Sequence, residues 1–112
     1  MITDLNYLKT MSGGDDKFIA EMIDLFRDQI DEYKELMPQL LRNKNYNDLA
    51  KLAHKAKSSV AVMGMNHVAD LLKKLEILAH EEKEIERYNG MIDEFLEQSQ
   101  IALEELNQHQ ST

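Results

Sequence analysis

One histidine in this chain sits in a setting that suits chemistry. It lies in Leu52-Ala53-His54-Lys55-Ala56-Lys57-Ser58-Ser59-Val60-Ala61-Val62-Met63-Gly64-Met65, a run of small and basic residues in an otherwise acidic protein. Wound as a helix at about 100° per residue, the segment aligns Tyr46, Leu49, Ala53, Ala56, Val60 and Met63 on one core-facing stripe. His54 then points roughly 130° from the middle of that stripe. Its neighbours one and two turns away are Ala50, Ser58 and Ala61, all small, and Lys57 lies between His54 and the core face. The imidazole is therefore expected on a flank, in a shallow clearing, with ammonium groups close by. A neutral imidazole nitrogen is a good nucleophile near neutral pH. Phosphoryl transfer to it needs in-line positioning and positive charge near the non-bridging oxygens, which Lys57 can offer.

The charge distribution points the same way. The net charge is −8, which argues against nucleic acid as a partner. Between Arg42 and Leu75 seven basic residues face only Asp48 and Asp70, so this segment is +5 and the remainder −13. A basic island round one histidine on an acidic body suits an anionic group at that histidine. Lys51 and Lys55 belong to the island, although both also suit an ordinary solvated helix face.

The elements that must hold this residue are helical. At 112 residues the chain is expected to form one domain, over residues 1–112. Seven Met, a single Pro and four Gly favour helices over sheet. Periodicity predicts helices at about 3–11, 15–42, 46–63, 66–80 and 84–106. Thr3 or Asp4 is expected to cap the first, Asp15 the second, Asn45 the third and Asn66 the fourth. The second carries the stripe Phe18, Met22, Leu25, Phe26, Ile30, Tyr33, Met37 and Leu40, with Pro38 expected to kink it rather than stop it. The fourth carries Val68, Leu71, Leu72, Leu75, Leu78 and Ala79. The last carries Ile85, Tyr88, Ile92, Phe95, Ser99, Ala102 and Leu106, and its period passes through Asn89-Gly90 unbroken. Gly64 is expected to end the third helix, and residues 107–112 to fray. The fold class is all-α: an antiparallel up-down-up-down four-helix bundle with a short lead-in helix.

Several chemistries are excluded by composition. With no cysteine there are no disulfides, thiolate metal sites or cysteine nucleophiles, which fits a reducing compartment. No apolar run approaches the roughly 18 residues of a membrane span, and the N-terminus has no signal-peptide pattern. A cytoplasmic, monomeric protein is expected. Di-iron bundles need Glu-x-x-His repeats, but Lys51, Gly64 and Ile77 stand three residues before His54, His67 and His80. No Gly-rich phosphate loop is present. His67, His80 and His109 are read as surface residues, His80 near a helix C-terminus that favours its cationic form.

Ala53-His54, Lys57, Ser58-Ser59 and Gly64, followed by Leu72, Leu75 and Glu76, resemble the signature of histidine phosphotransfer (HPt) domains of multistep two-component phosphorelays. Asp4-Leu5 with Leu8, Gly13-Gly14-Asp15 and Leu25-Phe26 resemble the family's opening, so the likeness covers roughly residues 4–106. The chain departs at Ser58, where the family usually has Gly, and at Met65, where it often has Ala. The resemblance implies that His54 is the phospho-accepting residue, through Nε2, and that Lys57 stabilises charge on the phosphoryl group. It implies a carrier with no kinase domain and no cofactor of its own, the Mg²⁺ and the acidic pocket belonging to the partner. The partners it implies are response-regulator receiver domains and a hybrid histidine kinase. Ala50, Lys51, Lys55, Ser58, Ala61 and Met65 are the expected receiver-docking residues, while Ser59, on the opposite flank, is expected to be structural. The alternative is an interaction module that docks on a receiver without carrying phosphate.

Overall fold

The structure, a computed structural model, describes residues 2–110, with side chains through residue 108. The side chain of His109 and residues 111–112 lie outside the described residues. The described residues form five α-helices: α1 (Asn6–Ser12), α2 (Asp16–Arg42), α3 (Tyr46–Val62), α4 (Asn66–Glu81) and α5 (Tyr88–Gln110). A 3-10 turn at Ile85–Arg87 leads into α5, and no strand occurs among the described residues. Their buried faces meet in one core running from Leu8 to Leu106. α3 packs most extensively on α4 and also on α2, while α5 lies against both α2 and α4.

Local chemistry accounts for the long helices. The Asp15 carboxylate accepts from the backbone N–H of Lys17 and Phe18 at 3.0 and 3.3 Å, satisfying two orphan donors at the start of α2. The helix then continues through Pro38. Its buried stripe is Ile19, Ile23, Phe26, Ile30, Tyr33 and Met37. In the first half this is rotated from the expected stripe, which left out Ile19 and Ile23. Leu25 is exposed, and Phe18 and Met22 are half-buried, because the chain turns Ile19 and Ile23 inward instead. In α3, Leu49, Ala53, Ala56 and Val60 are buried, and the alanines give neighbouring helices a close approach.

The helix ends differ from expectation in ways that trace to single contacts. α1 starts at Asn6 rather than residue 3, because residues 2–4 are drawn onto other parts of the chain. The Glu105 carboxylate accepts from the N–H groups of Ile2 and Thr3 and from the Thr3 hydroxyl. Asp4 donates its N–H to the Met63 carbonyl at 2.9 Å, and its carboxylate accepts from the Asn6 N–H. Asn45 stands at the N-cap of α3 but makes no side-chain cap; its amide donates to Asp48 at 2.8 Å. Asn66 is the first residue of α4 rather than its cap, a position held by Met65. Glu82 and Glu84 adopt positive φ and shape the α4–α5 connection. Tyr88 pins that connection, its O–H shared between the Leu78 and Lys83 carbonyls. α5 extends to Gln110, one turn past the expected end.

Gly64 closes α3 with φ +73°. A Cβ there would overlap the backbone of Asp4, so the position demands glycine twice: for its left-handed backbone and for the strand of chain laid across it.

Candidate functional site

α3 and α4 meet along a seam, and His54 stands on its solvent edge. The side chain is 61% exposed. Its Nδ1 lies 3.0 Å from Oε2 of Glu76 on α4. Lys57, one turn further along α3 and half-buried, reaches the other oxygen of the same carboxylate at 3.5 Å. Burial by itself would raise the Glu76 carboxyl. The hydrogen bond to His54 and its charge when protonated, then the Lys57 ammonium, outweigh burial and hold the carboxyl below its usual value. Glu76 is therefore ionised at neutral pH and can only accept hydrogen bonds. In the neutral ring this acceptor favours the proton on Nδ1, which leaves the Nε2 lone pair free. This is the tautomer in which Nε2 is a nucleophile.

The residues singled out in the sequence fall into three places. His54, Lys51 and Ala50 line a shallow concavity of about 300 Å³ with Glu76 and His80. Lys55 and Ser58 line a second groove, of about 250 Å³, between α2 and α3, beside the apolar side chains of Met22, Leu25, Phe26 and Val62. Ala61 is exposed further along α3. Ser59 faces α2, 3.1 Å from the Tyr33 hydroxyl, and donates to the Lys55 carbonyl. Lys55 approaches Glu32 of α2 at 3.9 Å.

Two expected docking residues are corrected. Met65 is only 1% exposed and belongs to the core. The left-handed turn at Gly64 reverses the chain, so Met63 and Met65 both point inward on either side of it. Ala50 is 5% exposed, because α4 packs closer on that flank than the α3 stripe alone indicates. It floors the concavity beside His54 rather than standing on an open surface.

The residue that the sequence reading left without a role is Glu76. A signal for it exists. Glu76 falls one turn after Leu72 and next to Leu75, at the border of the apolar stripe of α4, where an unpaired carboxylate is costly. What the periodicity lacks is the identity of its partner on another helix. Among the described residues no group of three or more His, Asp or Glu side chains is placed to hold a metal ion. No helix among them is long and apolar enough to cross a membrane.

The sequence profile of the Hpt domain family matches residues 21–109. This is most of the chain, and it includes His54, Lys57, Gly64 and Glu76. The chain belongs to the Hpt domain family. Membership implies histidine phosphotransfer in phosphorelays, with receiver domains and kinases as the class of partner, and a role as phosphocarrier rather than kinase. No match to the chain was found among curated proteins or among solved structures.

Proposed function

We propose that His54 accepts a phosphoryl group on Nε2 from a receiver-domain aspartate and passes it to a second receiver. The contact between His54 Nδ1 and the ionised Glu76 carboxylate carries this reading. The Nε2 lone pair attacks phosphorus, the P–O bond to the aspartate breaks, and its electron pair leaves with the carboxylate. No proton has to move, because Nδ1 already holds it. The phosphorylated ring gains positive charge, and Glu76 faces that charge at 3.0 Å. The reverse step regenerates the neutral ring. Lys57, tied to the same carboxylate, keeps Glu76 in place and brings positive charge within a turn of the reacting ring.

The partners of this reading are response-regulator receivers and a hybrid kinase, with Mg²⁺ on the receiver. The helices are read as an up-down-up-down bundle that presents α3 along one side. The receiver's docking face spans His54, Lys51, Lys55, Ser58 and Ala61 and extends into the apolar groove between α2 and α3. Met22 and Leu25 there give a partner apolar area to cover.

The test is labelling with phosphoramidate and with phosphorylated receivers. The wild-type label should be lost in acid and survive base. His54→Gln keeps a polar side chain at an exposed position, should fold normally and should take no label. A His54→Gln protein that labels at the wild-type level would assign the chemistry to another residue.

A further inference from the structure

His80 shares the concavity of His54 and has no place in the transfer step described above. It lies on α4 one turn beyond Glu76, and the space between them is lined by Ala50, Lys51, His54, Glu76 and His80. The register of the seam explains the grouping. Glu76 lies opposite His54 and Lys57. The turn before His54 on α3 meets the turn after Glu76 on α4, so the two helices run in opposite senses there. Ala50 contributes only a methyl group to the floor, which keeps the space open in front of the ring.

The cations round His54 are thus divided. Lys57 is paired with Glu76, the carboxylate that holds Nδ1. With Nδ1 against Glu76, Nε2 is directed away from it. Lys51 and His80 are the remaining basic side chains of the concavity, and among the described residues neither makes an ion pair. A phosphoryl group brings negative charge and three acceptor oxygens, and cationic donors beside it act where that charge is concentrated. His80 stands in the last turn of α4, where the helix dipole favours a cation.

We propose that His80 and Lys51 form the phosphoryl subsite of His54, and that protonation of His80 tunes phosphoryl acceptance across near-neutral pH. The proposal rests on His54 being the phosphorylated residue. Histidine is the side chain whose charge ordinarily changes in that range, whereas lysine stays charged throughout it. The titratable groups that line the concavity with His80 are Lys51 and His54 from α3 and Glu76 from its own helix; no lining residue comes from α2 or α5. His80 acts as a charged donor and transfers no proton, so the balance of the transfer step is unchanged.

The experiment has two arms on the full chain. In the first, imidazole ¹⁵N NMR follows the histidine rings through a pH titration before and after phosphorylation with phosphoramidate. A phosphoryl group seated beside His80 should move its titration curve to higher pH. His67, exposed in the first turn of α4, serves as the control and should not move. In the second, initial labelling rates are compared for wild type, His80→Gln and His80→Arg. His80 is exposed, so neither variant disturbs the core. Wild type should exceed His80→Gln by roughly two- to fivefold at about pH 6 and converge on it by about pH 8. His80→Arg should keep the advantage at both. A stationary His80 midpoint, or parallel profiles for wild type and His80→Gln, overturns the subsite while leaving the role of His54 intact. Absence of label on His54 overturns both.

Discussion

Replacing Glu76 by alanine is the most direct probe of the site, because one carboxylate holds both His54 and Lys57. Two effects combine. The ring loses the acceptor that keeps its proton on Nδ1, so it samples both tautomers, and only one of them leaves Nε2 free to attack. The phosphorylated ring also loses the negative charge that faces it at 3.0 Å. A hydrogen bond to a charged group contributes about 1.5–3 kcal/mol when shielded. Here the His54 side chain is 61% exposed and Glu76 28%, so solvent screening reduces the figure to about 1 kcal/mol. That corresponds to about fivefold in rate. Glu76→Gln should fall between wild type and alanine, since its amide oxygen still accepts from Nδ1–H but carries no charge. Rates of phosphoramidate labelling followed by ³¹P NMR measure the loss, and imidazole ¹⁵N shifts report the tautomer directly. The reasoning is refuted if Glu76→Ala labels at the wild-type rate with its Nδ1–H form still dominant.

Other consequences are equally accessible. Lys57→Ala should slow transfer in both directions by about tenfold at most, with unchanged helical circular dichroism; equal rates would reduce Lys57 to a structural partner of Glu76. Gly64→Ala should cost more than about 2 kcal/mol in urea unfolding, since it combines a left-handed backbone with overlap against Asp4; a near-neutral effect would show that residues 2–5 peel away easily. Glu105 makes an acid-sensitive clamp. Burial would raise its carboxyl, but the Ile2 and Thr3 N–H groups and the Thr3 hydroxyl lower it below 4.5. A depressed carboxyl stabilises the fold above its unfolded value and loses that contribution as pH falls through the folded value. The melting temperature of wild type should therefore exceed that of Glu105→Gln above pH 4.5, and the gap should close as the pH is lowered; a gap independent of pH would count against the clamp.

The helices were legible in the sequence because amphipathic period is a local property. The interior stripe of α3, the continuation of α2 through Pro38 and the helical conformation of Asn89-Gly90 all follow from side chains spaced a turn apart, although α5 begins only at Tyr88, after a 3-10 turn, rather than at residue 84. His54 on a flank and Lys57 one turn from it follow from the same spacing, and so does the resemblance that points to phosphotransfer. Local pattern was less decisive at helix ends. Asn45 and Asn66 have the right residue type for caps, yet Asn45 bonds Asp48 and Met65 takes the cap of α4, because the chain entering each helix sets which groups can meet.

What the sequence could not contain is the register of one helix against another. Nothing in the spacing of α4 says that Glu76 lies opposite His54, or that His80 falls beside Lys51. Those pairings come from the turn at Gly64 and the depth at which alanines on α3 admit α4. The same packing buries Ala50 and Met65, which sequence alone placed on the surface. Gly64 is recognisable in the sequence as a helix stop, but its second requirement is set by Asp4, sixty residues earlier in the chain. Sequence thus singled out the residue we propose as the nucleophile and the helix that presents it. The tertiary structure decided its tautomer and its surrounding charges, since both depend on groups brought from distant positions by burial of the shared core.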